Sequence, residues 1–267
     1  MKIRKLQIQN QKVFGKQIKL EFGPGTSMIL GKGQSGKTTI YKLLEEIVNK
    51  NLINIYSSNV TRNNPIFKRQ SFKFEKNLNN QKGISSVNIE FEFTKNDADN
   101  LAKVNKFSSQ FPYLIKKIIN KEFKFIKFNY EEFKNIGLKV GDSINYNIVD
   151  DKEVIAQKDN LFIKYLKHCG LFRILLKNIN VTLNPLFVWI AEGDKIDLEK
   201  YGDCDLLVLD RPFDAGLNQS NKRDLMAQMF ECQRKFGNQI IATVRDRNSE
   251  VIGPSIGVNW LFLEDRQ

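Results

Sequence analysis

The chain has 267 residues, of which 41% are hydrophobic and 27% charged, long enough for one large α/β domain or a domain with an inserted lobe. No stretch approaches the roughly 18 unbroken apolar residues of a membrane helix, and the charges of Met1-Lys2-Ile3-Arg4-Lys5-Leu6 exclude a secretory leader. The net charge of +12 is unevenly placed. Residues 1–140 carry 26 Lys/Arg against 11 Asp/Glu, and residues 141–267 carry 16 against 19. This asymmetry leads us to expect a polyanionic partner, with nucleic acid, DNA above all, as the first candidate.

In chain order, Leu6 and Ile8, then Ile18, Leu20 and Phe22, alternate with polar residues and predict a β-hairpin turning near Phe14-Gly15. After Gly23-Pro24-Gly25, the run Thr26–Leu30 predicts a short buried strand. Apolar residues at Ile40, Leu43, Leu44 and Ile47 have helical spacing. Residues 51–82 are Asn-rich and read as irregular, whereas Val87–Phe93 alternates strictly and predicts a strand.

Helices are expected near 97–106, 111–120 and 159–178. The Lys/Phe stretch 121–128 reads as an amphipathic strand rather than a nucleic-acid stacking surface, because its alternation has period two. The run Leu186–Ala191 reads as core. Leu206–Leu209 predicts a buried strand closed by Asp210, followed by a helix from about Asn221 to Lys235 that Gly237 ends. Gln239–Val244 and Trp260–Leu263 predict two further strands. Strand–helix alternation with apolar strands implies a sheet covered on both faces. Cys169, Cys204 and Cys232 are odd in number and scattered, and the single His168 stands alone, so neither a disulfide framework nor a zinc site is expected and the expected location is the cytoplasm.

The segment Gly31-Lys32-Gly33-Gln34-Ser35-Gly36-Lys37-Thr38 fits GxxxxGK[ST] at every fixed position, between an apolar strand and an amphipathic helix. Glycines let successive N–H groups turn toward phosphate oxygens, and the helix start adds its positive end. Gly31 through Thr38, with Thr39 next on the helix, form the expected ATP site. Lys37 would reach the β- and γ-phosphates, and the Thr38 hydroxyl would ligate Mg²⁺. Asp210 is the expected second magnesium ligand.

The residues Leu207-Val208-Leu209-Asp210-Arg211-Pro212-Phe213-Asp214-Ala215-Gly216-Leu217-Asn218 resemble the Walker B and D-loop of ABC-type ATPases, and Asn238–Asp246 is similar to their H-loop segment. The opening Met1–Asn10, Phe14-Gly15 and Leu20–Phe22 resemble the SMC/RecF branch. The resemblance spans about residues 1–48 and 203–264. It implies an α/β P-loop NTPase fold of ABC ATPase type, a mixed sheet flanked by helices. The nucleotide-binding core is expected at 1–50 and 181–267, with 51–180 as an inserted lobe.

Three departures bear on the implied activity. Arg211 stands where the family has the glutamate that polarises water, and a cation cannot accept that proton. Asp214 is the nearest other carboxylate. Arg245 stands where the family's switch histidine meets the γ-phosphate, and it retains the capacity to bind phosphate. No LSGGQ-type signature precedes Asp210. Lys37, Asp210, Arg211 and Arg245 are the candidate catalytic residues. The resemblance implies a head that acts in a DNA-linked process, alone as a homodimer or with a partner head, with weak or partner-dependent hydrolysis. The alternatives are an ABC fold that uses ATP as a structural or dimerisation switch and, third, a transporter's nucleotide-binding subunit.

Overall fold

A computed structural model of the chain describes residues 1–46, 75–110, 113, 137–150, 152–154, 187–190, 204–214, 217–245 and 257–263. The element order is β1 (Lys2–Gln9), β2 (Ile18–Glu21), β3 (Thr26–Gly31), α1 (Lys37–Glu46), β4 (Ser86–Glu92), α2 (Lys95–Gln110), β5 (Ser143–Val149), β6 (Lys152–Val154), β7 (Phe187–Ile190), β8 (Leu206–Leu209), α3 (Gln219–Phe236), β9 (Gln239–Arg245) and β10 (Asn259–Phe262). The expected helices at 111–120 and 159–178 and the Lys/Phe stretch 121–128 lie outside the described residues, apart from the helical Tyr113.

The strands form two sheets. One runs β2-β1-β4-β5-β6 and is antiparallel, and the other runs β10-β3-β9-β8-β7 and is parallel. Period-two alternation explains the first. Leu6, Ile8, Val87, Ile89, Phe91, Ile144, Tyr146 and Ile148 are buried, while the residues between them are half-buried or exposed and largely polar.

The second sheet is covered on both sides, as its unbroken apolar strands require. Ile29, Leu206, Val208 and Ile241 point into one core together with Ile40, Leu43 and Leu44 of α1. Their immediate neighbours Met28, Leu30, Leu207, Leu209, Ile240 and Ala242 point into the other, with Leu225, Met226 and Met229 of α3. The first core also takes in the buried face of the antiparallel sheet, so α1 is enclosed between the sheets' apolar surfaces. At about 25 cal/mol per Å² of apolar surface, such double-sided burial is the dominant stabilising term of the fold.

Polar side chains tie the two sheets together. The Gln239 amide donates to Ile3 O (2.8 Å) and Gly23 O (2.7 Å) and accepts from Ile3 N (2.8 Å). Thr94 and Asp97 form a capping box at the start of α2, with Thr94 N to Asp97 Oδ2 at 2.8 Å and Asp97 N to Thr94 Oγ1 at 3.3 Å. The Met1 ammonium sits buried between Asp97 and Asp205. α3 starts at the cap Asn218, which accepts from Asn221 N, and ends at Gly237, whose φ of 68° closes the helix in the left-handed region.

Strands β5 and β6 were not foreseen in the sequence, and β7 emerges as the edge strand made by the apolar run at 186–191. The described fold is α/β with a P-loop between β3 and α1.

Candidate functional site

The site lies at the carboxyl ends of β3, β9 and β8, where three adjacent parallel strands deliver the P-loop, Arg245 and Asp210. Sheet register dictates what meets. Gly31, the last residue of β3, pairs with Arg245, the last residue of β9. Leu209 pairs with Ala242, which places Asp210 beside Thr243.

The P-loop curls through Gln34, whose φ is 62°, and Gly36, whose φ is 100°. A side chain at Gly36 is doubly excluded. The backbone lies in the left-handed region, and a Cβ there would collide with the Phe14 ring and with Val13 at 2.7 Å. The Lys37 side chain is buried and folds back over the loop. Its Nζ donates to Gly31 O, to Lys32 O at 2.6 Å and to Ser35 Oγ at 3.1 Å. The ammonium therefore sits inside the loop whose amides would grip a phosphate.

Asp210 is buried, and its Oδ1 accepts the Thr243 hydroxyl at 2.8 Å. Thr243 Oγ1 in turn accepts Arg211 N at 2.9 Å, so one hydroxyl fixes the acid and the backbone of the next residue. Arg211 is itself left-handed, with φ of 50°, a conformation costing about 1 kcal/mol for a side chain of this type. Its Nε lies 3.7 Å from Asp210 Oδ1. Two residues after Pro212, Asp214 is engaged. Its Oδ2 is 2.7 Å from Arg245 Nε, with the Asp214 side chain 2% exposed and that of Arg245 37%. After Asp210, the next carboxylate along the turn, Asp214, is thus held by a guanidinium rather than aimed at open solvent.

A cavity of about 680 Å³ opens over these groups, large enough for a nucleotide. Residues 32–39 of the P-loop line it together with Val13, Arg211 and Arg245. The structure therefore gathers Lys32, Gly33, Gln34, Ser35, Gly36, Lys37, Thr38, Thr39, Arg211 and Arg245 around one space, whereas Gly31 and Asp210, each next in the chain to a lining residue, do not line it themselves. Sequence reasoning missed Val13 and Thr243. Neither carries a motif signal, since each acts through where the chain places it. Among the described residues no group of three or more His, Cys, Asp or Glu is placed to hold a metal on protein ligands alone. The Thr38 hydroxyl and the Asp210 carboxylate are hard oxygen donors of the kind magnesium takes alongside phosphate oxygens.

No protein-family model matches the chain, and no curated protein sequence matches it. Solved structures do show likeness. The chain is similar to an SMC head bound to the C-winged helix domain of ScpA, at 13% identity and a TM-score of 0.44, over 92% of this chain and 91% of that one. It is similar to the SMC head domain from Thermotoga maritima, at 11% identity and a TM-score of 0.39, over 94% and 91%. A third is the recombination mediator RecF with ATP, at 12% identity and a TM-score of 0.36, over 100% and 98%. The chain's own topology, with a P-loop between β3 and α1 and Asp210 at the end of β8, is that of an α/β P-loop protein.

Proposed function

We propose that this chain is an ATP-binding head that uses the nucleotide chiefly as a switch, with slow or partner-dependent hydrolysis, in a process linked to DNA. The observation that carries the reading is the cavity lined by the P-loop, Lys37, Arg211 and Arg245. Four cationic residues, Lys32, Lys37, Arg211 and Arg245, and a curl of backbone amides around one space suit a polyphosphate and little else. Thr38 and Asp210 would hold Mg²⁺ together with the phosphates, and a bound Mg²⁺ would neutralise charge on the β- and γ-oxygens.

The switch reading draws support from the pairing of Asp214 with Arg245. Arg211 cannot accept a proton from water, and the neighbouring carboxylate is occupied by a guanidinium. Nothing at the described site then serves as a strong general base. Arg245 is in register with Gly31 and lines the cavity, which suits it to meet the terminal phosphate of a triphosphate. A DNA-linked role draws on the charge of the first half, and assembly with a second head draws on the resemblance to SMC and RecF.

Calorimetry with ATP and magnesium tests the core of this reading. Expected are ATP binding that Lys37→Ala weakens by roughly ten- to a hundredfold and turnover that stays low without a partner. Absence of ATP binding in the unaltered protein overturns the reading. Rapid turnover by the isolated chain overturns the switch. A filter-binding assay with duplex DNA tests the remainder, with affinity that falls steeply as salt is raised expected for contacts to phosphates.

A further inference from the structure

One wall of the cavity is not made by the P-loop or by the arginines. Val13 comes from the turn between β1 and β2, and among the described residues it is the one aliphatic side chain in the lining. Lys37, Arg211 and Arg245 claim the phosphate end of a ligand, which leaves Val13 to the nucleoside end. The turn that carries Val13 is strained. Asn10 has φ of 52° and Lys12 has φ of 45°, and a left-handed lysine persists only where surrounding structure holds it.

The holding comes from a segment far away in sequence. Asn77 Nδ2 donates to Lys12 O at 2.6 Å, and Lys12 N donates to Glu75 O at 2.8 Å, so both peptide groups of the strained residue are bonded to residues 75–77. Gln11 makes a β-bridge to Lys76. The buried Asn10 donates to Asn80 O at 2.9 Å and Gly83 O at 3.0 Å, which holds the same two segments together from the other side. On the cavity side, Val13 and Phe14 press against Gly36. Gln11 and Phe14 close the turn on itself with two backbone bonds (3.0 and 2.7 Å), and residues 75–83 brace it from outside.

We propose that Asn77 is a positioning residue for nucleotide binding. Through Lys12 it fixes Val13 against the P-loop, and so sets the affinity for the nucleoside part of the ligand rather than for its phosphates. The inference rests on the nucleotide reading above.

Asn77→Asp is the variant that breaks the bond. It keeps the oxygen that accepts from Asn79 N at 2.9 Å and the backbone contacts, and sets a charged acceptor against Lys12 O in place of the donor. The measurement is calorimetric affinity, with magnesium, for ATP and for inorganic tripolyphosphate, which has the phosphates without the nucleoside. The expected result is ATP affinity lowered about five- to tenfold, with tripolyphosphate affinity unchanged. Gln81→Ala removes the exposed bond to Asn77 O at 3.0 Å and leaves the Lys12 bond in place, so it serves as the control. Equal losses for ATP and tripolyphosphate overturn the proposal, because Asn77 would then support the fold at large. So does an unaltered ATP affinity, or a Gln81→Ala loss as large as that of Asn77→Asp. If the unaltered protein binds tripolyphosphate but not ATP, the wall does not serve a nucleoside and the proposal fails. If it binds neither, the nucleotide reading itself falls.

Discussion

Arg245 and Asp214 meet at 2.7 Å, one from the last residue of β9 and the other from the turn after Asp210. The carboxylate is almost fully buried and the guanidinium is a little over one-third exposed. Breaking such a pair leaves the buried partner uncompensated, while the exposed side of Arg245 is partly screened by water.

Arg245→Gln, which leaves the buried Asp214 carboxylate unpaired, is accordingly expected to lower stability by about 1–2 kcal/mol, as read from the urea midpoint. Asp214→Asn, which leaves only the water-screened guanidinium, is expected to lower it less, and the double variant less than the sum of the two. A double-mutant cycle measures that coupling directly. The same variants bear on ligand choice. If Arg245 meets a terminal phosphate, Arg245→Gln reduces the preference for ATP over ADP and leaves ADP affinity unchanged.

Arg211 invites substitution for two separate reasons. Its left-handed backbone suits glycine, so Arg211→Gly is expected to raise stability by about 1 kcal/mol. Arg211→Glu restores a carboxylate next to Asp210 and is expected to raise ATP turnover at least about tenfold. Single-turnover hydrolysis with excess protein reads that change. No gain would mean that the water is not placed beside residue 211.

Two glycines of the P-loop are expected to behave oppositely. A Cβ at Gly36 meets Phe14 and Val13 on a strained backbone, whereas one at Gly33 meets nothing within 4 Å. Gly36→Ala is expected to cost about 1–3 kcal/mol and to abolish ATP binding. Gly33→Ala is expected to leave the thermal midpoint in place. Thermal melts with and without ATP distinguish the two.

Cys204 gives the fold a dependence on alkaline pH. Burial, and then the neighbouring Cys232, push its thiol up from the ordinary 9.0 to about 12. Between those values the unfolded chain has given up the proton and the folded chain still holds it. Stability is therefore whole below about pH 9 and falls as pH rises toward 12. Comparing urea midpoints near neutrality and at about pH 10.5 should show a smaller alkaline loss in Cys204→Ala than in the unaltered chain. The raised value also makes Cys204 slow to react with thiol reagents until the chain unfolds.

How much of this was legible in the residues differs from element to element. The P-loop, the strand closed by Asp210, α3 with its terminating Gly237, and the strand before Arg245 all carry long or strongly patterned signals, and each lies within two residues of its expected place. β5 escaped notice because only Ile144, Tyr146 and Ile148 alternate, with the poor strand formers Asn145 and Asn147 between them. Its strand character comes from pairing with β4, more than 50 residues earlier. In sequence Asp214 is simply a carboxylate near Arg211, because nothing in one dimension says that Arg245, 31 positions on, ends beside it. Thr243 and Asn77 were invisible for the same reason. Their roles exist only once register and turn geometry bring distant backbone to them.

The Gln239 amide, bonded to both peptide groups of Ile3, has a consequence for how the molecule comes into being. A strand from the first ten residues completes its setting only after residue 239 has left the ribosome, and β3 likewise lacks both its sheet neighbours until β9 and β10 are made. Closure over such distances is slow, and apolar strand edges stay uncovered meanwhile. Nascent chains are therefore expected to engage chaperones during synthesis, and truncations that end before β9 are expected to aggregate rather than to fold as a smaller unit.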